Sequence, residues 1–214
     1  SLHHHLHVLL TGETTGYFND FGSVDGLVRE LTREQPERFV VAAQNHDQVG
    51  NRAFGDRLPP DAHRVALACV LFALGTPLVF MGEEYEEQRP FQFFTDHIDP
   101  AIAEATREGR RAEVERTTGS GSDAPDPQAE ETFERSKLSD GDADPLFREL
   151  LALRPKLPRR LDVNVDGKRV ALTRGDATLE LDFDARRVEL HRRSLVGAGQ
   201  RAEVLAPAAP ERKT

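Results

Sequence analysis

Tryptophan is absent from the 214 residues, and cysteine and methionine occur once each. One cysteine, Cys69, excludes an internal disulfide and suits a reducing cytoplasm, which is the expected location. No apolar run reaches the roughly 18 residues of a membrane span, so no membrane partner is expected. No basic stretch leads into an apolar one, as a signal peptide would have it. Basic excess is missing too: 28 Lys and Arg stand against 37 Asp and Glu, a net charge of −9 at neutral pH. A nucleic-acid binder needs a basic footprint, so that class is set aside. What remains is 38% apolar and 30% charged residues, enough for a core inside an acidic, soluble protein.

The chain opens on Ser1 to Leu10, apolar and His-rich, which reads as the middle of a helix and suggests a fragment. Val24, Leu27, Val28 and Leu31 fall at helical spacing and predict a short amphipathic helix. Phe39 to Ala43 is a short apolar run, expected as a buried strand. From Asp61, taken as an N-cap, Val65 to Leu74 is apolar nearly all round and predicts a buried helix that Gly75 stops. Pro77 to Met81 is a second apolar strand. Strand, helix, strand, with both strands apolar, predicts parallel pairing in an α/β sheet or barrel.

Asp99-Pro100 and Asp144-Pro145 each place a cap and a helix-first proline before apolar residues, so two more helices are expected. Thr117 to Gln128 is rich in Gly, Ser, Asp and Pro and reads as a linker. After Arg160 the pattern alternates. Leu161, Val163 and Val165 lead to a two-residue turn at Asp166-Gly167, Val170 and Leu172 return, and Gly175-Asp176 turns again. Leu179, Leu181 and Phe183, then Val188 and Leu190, complete a four-stranded antiparallel, sandwich-like cap. Ala206 to Thr214 reads as a frayed tail.

Gln44-Asn45-His46-Asp47-Gln48 is the best site candidate, because five polar side chains directly follow a strand. In α/β barrels and sheets, ligands bind at the loops after strand C-termini. A carboxylate, an imidazole and amides there suit sugar hydroxyls; the plainer reading is a hydrogen-bonded loop. Glu83, Glu84, Glu86 and Glu87 follow the second strand. Paired with Asp47 they would suggest glycoside hydrolysis, but an acidic run is more often solvated or paired with Arg52, Arg57 or Arg89. His3 and His7 stand at i, i+4, a metal-ligand spacing with no matching carboxylate motif, so no metal is expected. Cys69 reads as a small core residue, and Phe91, Phe93 and Phe94 as packing aromatics. No cofactor is expected.

Phe39 to Asp47, a strand ending in Asn-His-Asp, resembles a motif of the α-amylase superfamily (glycoside hydrolase family 13). Its continuation through Gln48-Val49-Gly50-Asn51-Arg52-Ala53 and Gly55-Asp56-Arg57-Leu58 narrows the resemblance to the malto-oligosyltrehalose trehalohydrolases. So do Leu9 to Glu13, Gly82-Glu83-Glu84-Tyr85, Arg89 to His97, Arg107 to Arg111 and Thr132 to Leu138. The likeness spans residues 4 to 155. The stretch between Gly22 and Phe39 departs from it, holding only a short helix where the family carries a longer loop.

The resemblance implies the last part of a (β/α)8 barrel over residues 1–115, a linker or surface excursion over 116–143, and a connecting helix with an antiparallel β domain over 144–214. It implies hydrolysis of the α-1,4 bond next to the terminal trehalose of maltooligosyltrehalose, releasing trehalose, with a maltooligosaccharide-type substrate. Asp47 then aligns with the transition-state stabiliser. His46, with Asn45 and Gln48, would bind the sugar. The nucleophile and the acid/base match nothing in this chain, so it would act with the remaining N-terminal part of the barrel. Two other readings stay open. One is another enzyme of the superfamily, such as a branching or debranching enzyme. The other is a non-catalytic remnant or complementing carbohydrate-binding fragment.

Overall fold

The structure is a computed structural model that describes residues 1–15, 18–118 and 124–193. The tail expected at Ala206 to Thr214 lies outside the described residues, as do residues 119–123 of the expected linker.

Helix α1, Leu2–Thr11, buries Leu2, Leu6 and Leu10 on one face and ends at Gly12, whose left-handed backbone (φ 76°) returns its N–H to Val8 O. Helix α2, Val24–Leu31, starts where Ser23 Oγ accepts from the Gly26 N–H at 3.0 Å, and buries Leu27 and Leu31. Gly26 is needed for space: a Cβ there would fall 2.1 Å from the His5 ring, so the glycine lets α2 close on α1.

Strand β1, Val40–Ala42, pairs in parallel with β2, Thr76–Leu78, with Val41 opposite Pro77. The expectation of buried strands needs correcting. Val40 is 65% exposed and Leu78 41%, because no third strand among the described residues joins this sheet and its neighbours do not cover these residues. Between the two strands lie α3, His46–Gly50, and α4, Pro60–Phe72. Asp61 does not cap α4. Pro59 holds the cap position with Pro60 as the first helical residue, and the Asp61 carboxylate instead accepts from the next N–H, that of Ala62.

Helix α4 is the hub. Ala62, Val65, Ala66, Cys69 and Val70 are all 2% exposed or less, and the helix packs on α1, β1, α7 and the antiparallel sheet. Burial pushes the Cys69 thiol up to about 12, which leaves it an inert packed group. Helices α5, Pro100–Thr118, α6, Glu130–Ser136, and α7, Pro145–Leu153, follow β2. Asp144 caps α7 by accepting from the Leu146 and Phe147 N–H groups.

Strands β3 (Asp162–Asp166), β4 (Arg169–Arg174), β5 (Ala177–Asp182) and β6 (Arg187–Arg192) form one antiparallel meander in that order. It is a single sheet, not a sandwich; its second layer is helical. The first turn sits one residue later than its sequence suggests, at Gly167-Lys168, because Asp166 is already paired with Arg169. Val170 faces Leu181 and Leu172 faces Leu179 across β4 and β5, and these four residues join one core with Leu6, Leu27, Phe72 and Leu150.

Two arginines fasten the sheet side to the end of α4. Arg154 donates to the carbonyls of Leu71, Ala73 and Gly75. Arg174 donates to Phe72 O at 3.0 Å and to Pro158 O at 3.0 Å. The last carbonyls of a helix have no partner within it, so these donors complete α4. Burial pulls the Arg174 guanidinium down to about 10, with Arg154 nearby adding to the effect.

Candidate functional site

Strand β1 runs directly into the polar segment that follows it. Ala43 and Gln44 are still buried, and Asn45 is fully extended, at φ −149° and ψ 176°. The chain then turns sharply into α3, because Asn45 Oδ1 accepts from the Gln48 N–H at 2.9 Å. That turn throws His46 and Asp47 outward. Their side chains are 71% and 73% open to solvent, with His46 Nε2 3.5 Å from Asp47 Oδ1. Asn45, His46 and Asp47 are therefore brought together at the C-terminal end of a parallel strand. Gln48 turns back toward the protein, and its Oε1 is buried without a hydrogen bond.

Gln44 belongs to the scaffold. Its Oε1 accepts from the Leu58 N–H at 2.8 Å and its Nε2 donates to Glu83 Oε1 at 3.5 Å. Glu83 is 1% exposed, accepts from the Phe80 N–H at 2.7 Å and lies 3.4 Å from His63 Nε2. Glu87 accepts from Arg89 N–H and from the Ser139 hydroxyl. Burial pushes its carboxyl up, but the backbone donors outweigh that and hold it below its ordinary value. Glu86 pairs with Arg64 at 2.8 Å. The acidic run after β2 thus ties loops together, and Glu83 in particular is spent on internal hydrogen bonds.

One further residue supports the site in a way that its place in the sequence does not announce. Arg110, on α5 and 5% exposed, donates to Gly50 O at 3.0 Å and Arg52 O at 2.7 Å. It caps the C-terminal end of α3 from some 60 residues away. Arg110 sits in the Arg107 to Arg111 stretch that carries the resemblance, but a contact with backbone carbonyls at that separation gives no periodicity from which its role could be read.

Beside α3 lies a cleft of about 370 Å³, between the end of α1 and the loop before α4. A charged row crosses it. His7 Nε2 is 2.9 Å from Glu13 Oε2, Arg52 Nη1 is 2.9 Å from the same oxygen, and Arg52 Nε is 2.6 Å from Asp56 Oδ2. The His7 ring stacks on Phe18 at 4.1 Å and 9°. Burial pushes the Glu13 carboxyl up, but the donors His7 and Arg52 outweigh it and leave its pKa below the ordinary value. Burial holds His7 below its ordinary value in spite of Glu13. His7 is thus engaged with Glu13. Among the described residues no group of three or more His, Cys, Asp or Glu could hold a metal ion.

Phe91 and Phe94 pack edge to face in a row running from Phe80 to Phe133, at centroid distances of 5.2 to 6.0 Å. Phe93 lies against the Arg110 guanidinium at 5.5 Å.

No protein-family model matches the chain. Individual proteins do. The chain is 37% identical, over 89% of its length, to a malto-oligosyltrehalose trehalohydrolase of Rhizobium sp. (strain M-11). It is 40% identical over 73% of its length to one of Arthrobacter ramosus, and 38% over 64% to one of Saccharolobus solfataricus. The chain is a partial-length relative of the malto-oligosyltrehalose trehalohydrolases. It spans 39% of the Rhizobium relative and 33% of the Arthrobacter one. A solved Salmonella typhimurium structure, of a candidate alpha amylase, superposes with a TM-score of 0.69 at 36% identity. That match covers 84% of this chain and 38% of the other. A trehalohydrolase relative of this kind is a glycoside-hydrolase-like chain, and its helices and antiparallel sheet fit an α-amylase-type neighbour. No described helix is long and apolar enough to cross a membrane.

Proposed function

We propose that this chain contributes Asp47, one of three catalytic carboxylates, to a glycosidase of trehalose biosynthesis. The enzyme hydrolyses the α-1,4 bond beside the terminal trehalose of maltooligosyltrehalose and releases trehalose in the cytoplasm. The observation that carries this reading is the pairing of His46 and Asp47, open to solvent at the C-terminal end of a parallel strand, in a trehalohydrolase relative. β1 and β2 are then the last two strands of an eight-stranded barrel, and the exposed Val40 and Leu78 are residues that a neighbouring part of that barrel would cover.

In this mechanism a nucleophile and an acid/base, held on strands outside these 214 residues, stand about 5 Å apart and carry out the retaining displacement. Asp47 binds sugar hydroxyls and grows in strength as positive charge builds on the ring, so it acts on the transition state rather than on ground-state binding. His46 hydrogen-bonds the sugar in the cleavage subsite. Asn45 has one lone pair of its oxygen engaged by the Gln48 N–H, which leaves its amide NH2 free to donate to substrate. Arg110 holds the far end of α3 and so fixes where Asp47 points.

The test is a chimera in which this chain replaces the matching 39% of the Rhizobium trehalohydrolase. Trehalose release from maltooligosyltrehalose is expected, and Asp47→Asn should lower kcat by about 10² or more with the fold intact. A chimera that folds but makes no trehalose, or an Asp47→Asn rate near that of the parent, overturns the reading.

A further inference from the structure

Strands β1 and β2 stop pairing just before the polar segment, and a buried carboxylate takes over at that level. The Thr76 N–H donates to Phe39 O at 2.8 Å, and Val40 to Ala42 lie opposite Thr76 to Leu78. In a parallel ladder the same strand donates at every second residue, so a longer pairing would send the Phe80 N–H to Ala43 O. That N–H goes instead to Glu83 Oε2 at 2.7 Å. The other oxygen of the same carboxylate, Oε1, accepts from Gln44 Nε2 at 3.5 Å, and Gln44 directly precedes Asn45. Glu83 thus bridges the two strand ends where the backbone no longer does.

The bridge is fixed on both sides. Gln44 Oε1 accepts from the Leu58 N–H at 2.8 Å, so its amide has one orientation, oxygen toward Leu58 and NH2 toward Glu83. The Glu83 N–H donates to Phe80 O at 3.0 Å, closing a tight loop on the residue that its carboxylate holds. On the α4 side His63 Nε2 lies 3.4 Å from Glu83 Oε1, and both side chains are almost fully enclosed. Burying a carboxylate is costly even among donors, and an apolar side chain of similar volume often serves stability as well. Such a side chain could not hold Gln44 and Phe80 at once.

We propose that Glu83 is a positioning residue for His46 and Asp47. By tying Gln44 to Phe80 it fixes the point from which the chain turns at Asn45, so the two solvent-open side chains leave the strand at one place and one angle. The kinetic consequence rests on the reading of Asp47 above. Because that reading has Asp47 act on the transition state, a small displacement costs kcat and leaves ground-state binding nearly alone.

The experiment compares Glu83→Gln with the reciprocal pair Gln44→Glu plus Glu83→Gln. The single change turns an NH2 group toward Gln44 Nε2 and breaks the bridge. The pair restores it with donor and acceptor exchanged: position 44 then accepts from Leu58 and from position 83, which still accepts from Phe80. In the 214-residue chain, hydrogen exchange followed by NMR should run about tenfold faster at the Gln48 N–H in Glu83→Gln, with the Leu172 N–H unchanged, and return to the parent rate in the pair. In the chimera, Glu83→Gln should lower kcat about tenfold or more with KM within about twofold, and the pair should recover most of the loss. Gln44→Met severs the bridge from its other end and carries both readouts if Glu83→Gln does not fold. Faster exchange at Gln48 and Leu172 alike marks a residue that only stabilises the fold, and it overturns the proposal. So does an unchanged Gln48 rate, a Glu83→Gln kcat near that of the parent chimera, or a pair that fails to fold or to recover. A chimera that makes no trehalose rejects the reaction, while exchange at Gln48 in the 214-residue chain still decides the positioning.

Discussion

The four strands β3 to β6 pair antiparallel through short turns, whereas β1 and β2 run parallel and connect through two helices. In the first sheet Leu172 and Leu179 face each other at 0% exposure. In the second, Val40 is 65% exposed and Leu78 41%. Both sheets lean on the same helix, α4, so the difference does not come from what lies beneath them. It comes from neighbours in the sheet. A meander closes most of its own hydrogen bonds locally, while a parallel pair leaves both outer edges and part of a face for other chain to cover. The region nearest the proposed chemistry is thus the one that depends most on further structure.

Core truncation should separate the two regions most clearly. Leu172→Ala removes a fully buried side chain and should cost about 2–5 kcal/mol. Val40→Ala, at an exposed position, should stay within about 0.5 kcal/mol. Urea unfolding of both variants checks this, and equal losses would erase the contrast. A smaller effect is expected at the joint between sheet and helix. Arg174→Met leaves Phe72 O and Pro158 O without their charged donor and should cost about 1–3 kcal/mol. If unfolding by fluorescence and by hydrogen exchange then shows two transitions where the parent shows one, this joint is what makes the two regions cooperate.

The mildest probe is pH. His3, His4, His5 and His7 on α1 all lie below their ordinary value of 6.5, chiefly because burial disfavours the imidazolium, and His3 falls to about 4. The unfolded chain takes up these protons near pH 6.5 and the folded one resists, so the unfolded state binds more protons between those limits. Stability should therefore fall as pH drops from 6.5 toward about 4, by a few degrees in Tm. Because α1 packs on α4 and β1, amides there should lose protection before those of β4 and β5. Protection that rises in α1, or falls equally in both regions, would contradict this.

Much of the architecture is legible wherever burial is periodic. The spacing of Val24, Leu27, Val28 and Leu31 marks α2, and the alternation through Val170, Leu172, Leu179 and Leu181 marks the meander. Asp144 is legible because a cap followed by proline has few other uses. Helix α6 is not legible: its buried residues are Thr132 and Ser136, held by hydrogen bonds to Asp126 O and Gln92 N–H, so no apolar rhythm announces it. Asp61 misleads because Pro59-Pro60 starts the helix one step earlier. At the site, Asn45 to Gln48 stand out as polar residues after a strand. Arg110, Glu83 and Arg57 lie in stretches that carry the resemblance, but the groups they hold, backbone carbonyls for the arginines and Gln44 for Glu83, are dozens of residues away and only the fold shows them.

The arginines at the end of α4 also bear on the order in which the molecule is made. The carbonyls of Leu71, Ala73 and Gly75 are synthesised 79 to 83 residues before Arg154, and Phe72 is made 102 residues before Arg174. At about 5–20 residues per second, a ribosome delivers those donors some 5–20 seconds after the helix itself. Through that interval the end of α4 must be served by water or by a chaperone. The last turn of the central helix therefore gains its side-chain donors only after the sheet that carries Arg174 has been made.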